Sequence, residues 1–520
     1  MIHDLKLTSG QSISTPILII GAGTAGLLMA EQFYKAGIHT VVIESGGLKQ
    51  EDETHPYNHV ILSGDAYAGA AKGRFRCLGG TSTRWGGAMI PFLREDMDPQ
   101  IWPIGYEELL EPLQELEAIF QLNPGSYELV DTSTYIGIDQ NDFILRAAKW
   151  PPFKLRNVAN LFTNTIHSDD GLLDVWINAH ACEFTLKNSE KPSQVVAKSS
   201  NGNILTIHAD QIILAAGAIE NTRLHLLLHQ QHPKIDPPST LGHYFHDHIS
   251  AWIADVKVHK NDALNRLFGF QFEKNGVMRN LRFELSPSSP LRMQGAPCFI
   301  NLVYEQVQGG GFETLRICLQ GLQKGTLPKL SMLWGLVRAT PWLVKAIIWR
   351  YFYNTLAYPK DSQIKINLVL EQIKSPDNFI ELSKGEVDEF GKPLASIHWQ
   401  IDVKEADRII AIQKSFQDLW NHSPLALLGQ FLAIPAKEIE KAMRSAPDTY
   451  HPCGSTRMGY TRETGVVDSN LRGFAFPNVS TISTSVLPNA GGSNPTLMML
   501  LLALRLAKDR ISQIQSKKIA

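Results

Sequence analysis

The chain has 520 residues, 44% apolar and 19% charged, which is ordinary for a folded protein but too long for one simple core, so two or more domains are expected. A formal net charge of −2 leaves no basic surplus to neutralise phosphates and argues against a nucleic-acid partner. The five cysteines (Cys77, Cys182, Cys298, Cys318 and Cys453) are widely spread and show no CxxC spacing. They exclude a clustered structural metal site and read as reduced thiols of a cytoplasmic protein.

In chain order, Met1–Thr15 is polar and unlike a signal peptide. An apolar strand, Pro16–Ile20, then runs into Gly21-Ala22-Gly23-Thr24-Ala25-Gly26 and a helix over Ala25–Ala36. Gly21 permits the tight turn, Gly23 lets backbone approach a pyrophosphate, and Gly26 lets the helix pack closely on the sheet. The helix aims its positive end at the phosphates. A second strand, Thr40–Ile43, delivers Glu44, 18 residues after Gly26, to where a ribose hydroxyl would sit. These offsets predict a dinucleotide site.

Ala71–Phe92 is glycine-rich, and Tyr106–Phe120 reads as a helix. Strands are expected at Asp174–Asn178, Gln194–Ala197 and Gln211–Leu214. The last ends in Ala215-Ala216-Gly217 before a helix through Asn221–Leu228, a second crossing whose small residues permit close approach to a nucleotide. From about Pro237 to Pro435, alternating segments at Ile249–Val258, Arg282–Leu285, Cys298–Tyr304, Ile364–Glu371 and Phe379–Leu382 predict an antiparallel sheet, with a helix at Val403–Trp420. Within this region Leu315–Lys360 contains no acidic residue and mixes Lys and Arg with Trp, Tyr and Leu. That composition suits either two core or lid helices broken at Pro341 or peripheral contact with a membrane surface. No stretch reaches the roughly 18 apolar residues of a membrane span. A strand at Val479–Ser485 and a helix at Thr496–Ile511 close the chain. The expected fold class is α/β: a Rossmann-like cofactor domain from both chain ends (1–236 and 445–520) around an inserted α+β substrate domain (237–444) built on an antiparallel sheet.

Two further segments raise the specificity: Leu78-Gly79-Gly80-Thr81-Ser82-Thr83-Arg84-Trp85-Gly86-Gly87, and Tyr450-His451-Pro452-Cys453-Gly454-Ser455-Thr456-Arg457-Met458-Gly459 followed by Gly491-Gly492-Ser493-Asn494-Pro495-Thr496. With the first glycine motif and Gly242…Asp247-His248, where Phe245 stands in place of the usual Leu, they resemble the glucose–methanol–choline (GMC) oxidoreductases over nearly the whole chain. The Ser-Thr-Arg-Trp and Ser-Thr-Arg-Met-Gly elements look most like the sugar-oxidising branch, which includes pyranose oxidase and the FAD-dependent glucose and fructose dehydrogenases.

The resemblance implies FAD, held noncovalently because Arg84 occupies the position at which some pyranose oxidases attach it through a histidine. It also implies oxidation of the CH–OH group of a sugar or sugar-like alcohol. His451 matches the family's active-site base and Asn494 its second catalytic position. Removing hydride from a carbinol carbon requires the hydroxyl proton to leave to a nearby base of near-neutral pKa, which an imidazole supplies. Cofactor contacts are assigned to Gly21, Gly23, Thr24, Ala25, Gly26, Glu44, Gly80, Thr81, Arg84, Trp85 and Gly86. Ala181, Ala216, Gly217, Thr484, Ser485, Pro495 and Thr496 complete that set, the proline in the first turn of the final helix. His243, His246 and His248 have a spacing that suggests a metal, but Asp247-His248 matches a family motif without one, so no metal is expected. Two other readings share the motifs: a non-redox FAD lyase, and a flavin-holding subunit that docks to a membrane electron carrier. The electron acceptor, whether oxygen, quinone or cytochrome, is left open.

Overall fold

The computed structural model describes residues 1–50, 52–128, 141–188, 191–293, 297–306, 310–323, 337 and 339–519. The apolar run before the glycine-rich turn becomes the strand Gln11–Ile20, with Ile17 to Ile20 fully buried. It pairs in parallel with Thr40–Ile43 on one side and Ile204–Leu214 on the other. Burial on both faces is what a central parallel strand requires. Alternation then divides its side chains: Ile17 and Ile19 join the core that contains Leu27 and Leu28, while Leu18 and Ile20 join the one that contains Leu224 and Leu228.

The eight-stranded sheet continues from Thr40–Ile43 through Leu173–Ile177 to Ile2–Asp4. On the other side it runs from Ile204–Leu214 through the antiparallel strands Lys191–Lys198 and His180–Asn188. Its eighth strand, Val479–Thr481, pairs with Ile212, Ile213 and Leu214 in parallel. This strand is shorter than its sequence suggests. The Ser483 hydroxyl accepts from the Ser485 N–H and turns the chain into a 3-10 segment, Thr484–Val486.

The helix Thr24–Lys35 packs against the long C-terminal helix Thr496–Ile519, and Leu497, Leu500, Leu501 and Leu504 share its core. The helix expected over Tyr106–Phe120 is two, Tyr106–Leu110 and Leu113–Ile119. Pro112 divides them because it cannot donate to the helical ladder.

A second sheet is antiparallel throughout and contains the strands His248–Val258, Met278–Leu285, Cys298–Glu305, Gln363–Glu371 and Gly429–Ala433. Phe143–Trp150, from well before residue 237, adds an edge by pairing with Met278–Leu285. The helix Lys404–Asn421 covers this sheet with Ile409, Ile412, Phe416 and Trp420, one apolar stripe at helical spacing. A small third sheet joins Ile61–Gly64 to Pro393–Trp399 and Phe379–Val387.

Of the acid-free stretch 315–360, residues 324–336 and 338 lie outside the described residues. Its described part includes the end of the helix Gly311–Gln323 and the helix Thr340–Phe352, with Pro341 in the first turn of the latter rather than as an internal break. No helix among the described residues is long and apolar enough to cross a membrane.

Candidate active site

A cavity of about 900 Å³ opens at the C-terminal ends of Gln11–Ile20, Thr40–Ile43 and Ile204–Leu214, where open α/β sheets bind their ligands. Three helices begin at its wall, at Thr24, Ala218 and Thr496. The first two have no side-chain cap, so their first-turn amides are free to hold an anion.

Gly21, Gly23, Thr24, Ala25 and Glu44 form one stretch of wall, and Gly80, Thr81, Arg84, Trp85 and Gly86 another. Ala181, Ala216, Gly217 and Thr484 also face the space, together with Thr496, His451 and Asn494. Three expected contacts lie behind the wall. A Cβ on Gly26 would stand 2.0 Å from the Gly21 carbonyl oxygen, so this glycine serves helix–strand packing. The buried Ser485 hydroxyl pairs with Ser483 and Thr456. Pro495 precedes Thr496, and its carbonyl accepts from Met499.

The wall fits a dinucleotide. A Cβ on Gly23 would meet no protein atom within 4 Å, whereas one on Gly80 would stand 2.8 Å from Gly23 Cα, so backbone alone shapes this part of the wall. The buried Glu44 carboxylate accepts the amides of Ala22 at 3.0 Å and Gly46 at 2.9 Å. Oε1 also accepts the Ser45 hydroxyl at 3.4 Å, whereas Oε2, bonded to Ala22, retains a lone pair for a hydroxyl donor. Burial raises the Glu44 pKa, and the two amides oppose that shift.

Around His451 the hydrogen bonds assign the tautomer by two independent routes. The Gly491 carbonyl can only accept, so His248 Nε2, 2.8 Å away, carries its proton. Burial holds His248 neutral by lowering its pKa, which leaves Nδ1 bare. That atom lies 3.2 Å from His451 Nδ1, which must therefore donate. From the other side, Arg282 has only donors, and its Nη1 donates to Asn494 Oδ1 at 2.9 Å. The Asn494 amide nitrogen is thereby turned toward His451 Nε2, at 3.4 Å, and Nε2 must accept. Both routes give His451 protonated at Nδ1 with an unprotonated Nε2.

Thr449 and Asp247 complete the support. Thr449 Oγ1 donates to Asp247 Oδ1 at 3.2 Å and stands 3.0 Å from His451 Nδ1. Asp247 also accepts the backbone amides of His248 and His451 and the Tyr67 hydroxyl. Burial, reinforced by Asp448, lifts its carboxyl to about 7. The His451 pKa is held well below the ordinary imidazole value, first by burial and then by His248 and Arg282.

Arg282 is itself buried, and burial lowers its pKa to about 10. Its guanidinium lies 4.3 Å over the Phe299 ring. No carboxylate among the described residues comes within ion-pair distance of it. Glu284, two residues along the same strand, is bound instead by Arg146 at 2.6 Å. A buried positive charge thus sits directly behind the Asn494 amide.

Asp247, His248 and His451 bring potential ligand atoms within 4.8 Å of one another. The Asp247 oxygens are engaged by the amides of His248 and His451 and by the hydroxyls of Tyr67 and Thr449, so the cluster is bound together by hydrogen bonds. His243 and His246 are turned elsewhere, toward the carbonyls of Pro376 and Tyr244.

Residues 374–503 match the family model described as GMC oxidoreductase. Among solved structures, a variant of the formate oxidase of Aspergillus oryzae RIB40 aligns with a TM-score of 0.60 at 14% identity, covering 98% of this chain and 100% of that one. The pyridoxine 4-oxidase of Mesorbium loti aligns with a TM-score of 0.61 at 15% identity, covering 95% and 99%. The chain has the GMC oxidoreductase fold. No curated protein matches it in sequence.

Within this GMC fold, several residues of the site escaped the sequence reading. Asp247 and His248 stand out in the sequence only as a motif, and Thr449 carries no signal there. Arg282 left a signal. In Met278–Leu285, Leu281, Phe283 and Leu285 alternate with Arg282 and Glu284, and all five are buried. Charges at every second position of a strand that turns out to be covered on both faces mark a polar network inside the protein. Arg76 is a further omission: it lines the cavity and bonds Ser45 and Glu220.

Proposed function

We propose that the protein is an FAD-dependent oxidoreductase that oxidises the CH–OH group of a small alcohol, with a sugar or polyol as the substrate class. The observation that carries this reading is the unprotonated His451 Nε2 beside the Asn494 amide at the wall of a dinucleotide-shaped cavity. FAD, when bound, supplies the two-electron acceptor that alcohol oxidation requires. The glycine-rich wall, the first-turn amides of Thr24–Lys35 and the Glu44 carboxylate would hold it, with no covalent attachment. His451 Nε2 takes the hydroxyl proton, and the Asn494 amide donates to the same oxygen as negative charge grows there. His248 and Thr449 hold the imidazole in its productive tautomer and are positioning residues. The sugar preference rests on the Ser-Thr-Arg-Trp and Ser-Thr-Arg-Met-Gly elements. A cytoplasmic location is favoured by five buried cysteines without disulfide partners.

Anaerobic mixing with sugars, polyols, pyridoxine and formate, followed by flavin absorbance, tests the proposal. Bleaching by at least one alcohol is expected. A flavin that none of these alcohols reduces, or one that formate alone reduces, overturns the alcohol assignment.

Arg282 gives a pH prediction with a definite sign. Its positive charge disfavours the imidazolium, so His451 stays a base below the ordinary imidazole range. In Arg282→Met that charge is gone and Asn494 Oδ1 loses its donor. The acid limb of kcat/KM then moves to higher pH, and kcat falls by about tenfold or more. A pH profile of flavin reduction reads both effects.

A further inference from the structure

The helix Thr340–Phe352 is built the wrong way round for water. Val344, Ile347, Ile348, Tyr351 and Phe352 recur at the spacing of one helical face, and that face points to solvent, each residue between 43% and 80% exposed. The opposite side holds the helix to the protein. Trp349 is buried beneath the Lys345 ammonium, Trp342 Nε1 donates to the Ala357 carbonyl at 3.1 Å, and the Arg350 guanidinium lies 3.9 Å over the Phe272 ring. A contiguous apolar stripe on an otherwise charged surface marks a contact site.

We propose that this helix seats the protein on an anionic lipid surface, lying in the plane of the membrane interface. Its 13 residues span about 20 Å, too short to cross a bilayer but long enough for an interfacial helix. Tyr351, Phe352 and the half-exposed Tyr353 gather aromatic rings at one end, as residues at the headgroup level do. The charge bias is local. Although the whole chain is slightly acidic, residues 315–360 contain no Asp or Glu, and Arg316, Arg350 and Lys360 make no ion pair with a described residue. The acid that approaches the helix from its neighbour, Asp262, is bonded to Lys345. Protein interfaces pair apolar cores with about one hydrogen bond per 100–200 Å². This stripe offers hardly any donor or acceptor beyond the Tyr351 hydroxyl, which favours lipid over a second copy of the chain.

The segment just beyond the helix is linked to the cavity wall. Trp150 lines the cavity and packs against Phe270 at 4.9 Å between ring centroids. The Phe270 carbonyl accepts from Leu356, and the Phe272 amide donates to Asn354, just beyond the helix.

Flotation of the full-length protein with vesicles of phosphatidylcholine alone, or of phosphatidylcholine mixed with phosphatidylglycerol, tests the proposal. Co-flotation with the mixed vesicles is expected, with at least about tenfold weaker binding to the neutral ones. The double variant Ile347→Glu, Phe352→Glu should weaken binding to the mixed vesicles by a similar factor; both sites are exposed, and an unchanged circular dichroism spectrum shows that the fold is kept. Failure of the wild type to float with either vesicle, or equal flotation of the variant, overturns the proposal. So does a concentration-dependent dimer in solution that the same substitutions abolish without any vesicle binding.

Discussion

Replacing His451 with alanine lowers the rate of alcohol-driven flavin bleaching by between about a hundredfold and ten-thousandfold, the range spanned by general acid–base catalysis. Flavin content stays at the wild-type level. The loop geometry does not depend on the imidazole, because Asp247 holds the His451 backbone amide. His248→Phe gives a smaller loss in kcat, since Thr449 still accepts from Nδ1 but is left to hold the ring alone. Stopped-flow absorbance under anaerobic conditions separates these effects from cofactor loss. Unaltered bleaching in His451→Ala would assign the base elsewhere.

Two glycines three residues apart, Gly23 and Gly26, should behave oppositely. Gly26→Ala forces a Cβ to within 2.0 Å of the Gly21 carbonyl oxygen. The helix must then lift off the strand, at a cost of about 3 kcal/mol or more, and the purified protein should be less stable with or without flavin. Gly23→Ala meets no protein atom within 4 Å, and the residue's φ of −84° suits alanine. Its Tm without flavin should equal the wild type's. Flavin affinity should nevertheless fall by at least about tenfold, roughly 1.4 kcal/mol, because the new methyl group stands where the pyrophosphate would approach. Differential scanning fluorimetry of the apo protein and a flavin titration read the two apart. Equal stability losses in both variants would mean that Gly23, too, is only a packing position.

The first sheet was legible because its signals are local. Strand, turn, helix and acid lie within about thirty residues, and the observed Thr40–Ile43 has the expected bounds. Antiparallel alternation likewise revealed His248–Val258 and Gln363–Glu371 to within one residue. Pairing across long separations was not legible. Phe143–Trp150 joins the second sheet through Met278–Leu285, more than a hundred residues away, and nothing in its own composition names that partner. The site shows the same division. His451 and Asn494 stand in short glycine-flanked motifs, whereas Arg282 reaches Asn494 across 212 residues. The tautomer of His451 depends on a carbonyl at Gly491 acting through a ring at His248, a dependence that exists only in three dimensions.

Assembly order follows from the placement of Val479–Thr481. This strand completes the sheet beside Ile204–Leu214, and the helix after it covers Leu27 and Leu28 near the other terminus. Closing so long a loop is slow, and until it happens His451 and Asn494 are not in place and the first helix is uncovered. Until residues 451–496 dock, the glycine-rich turn and Glu44 form only part of the cavity wall, and the space closes when that segment arrives.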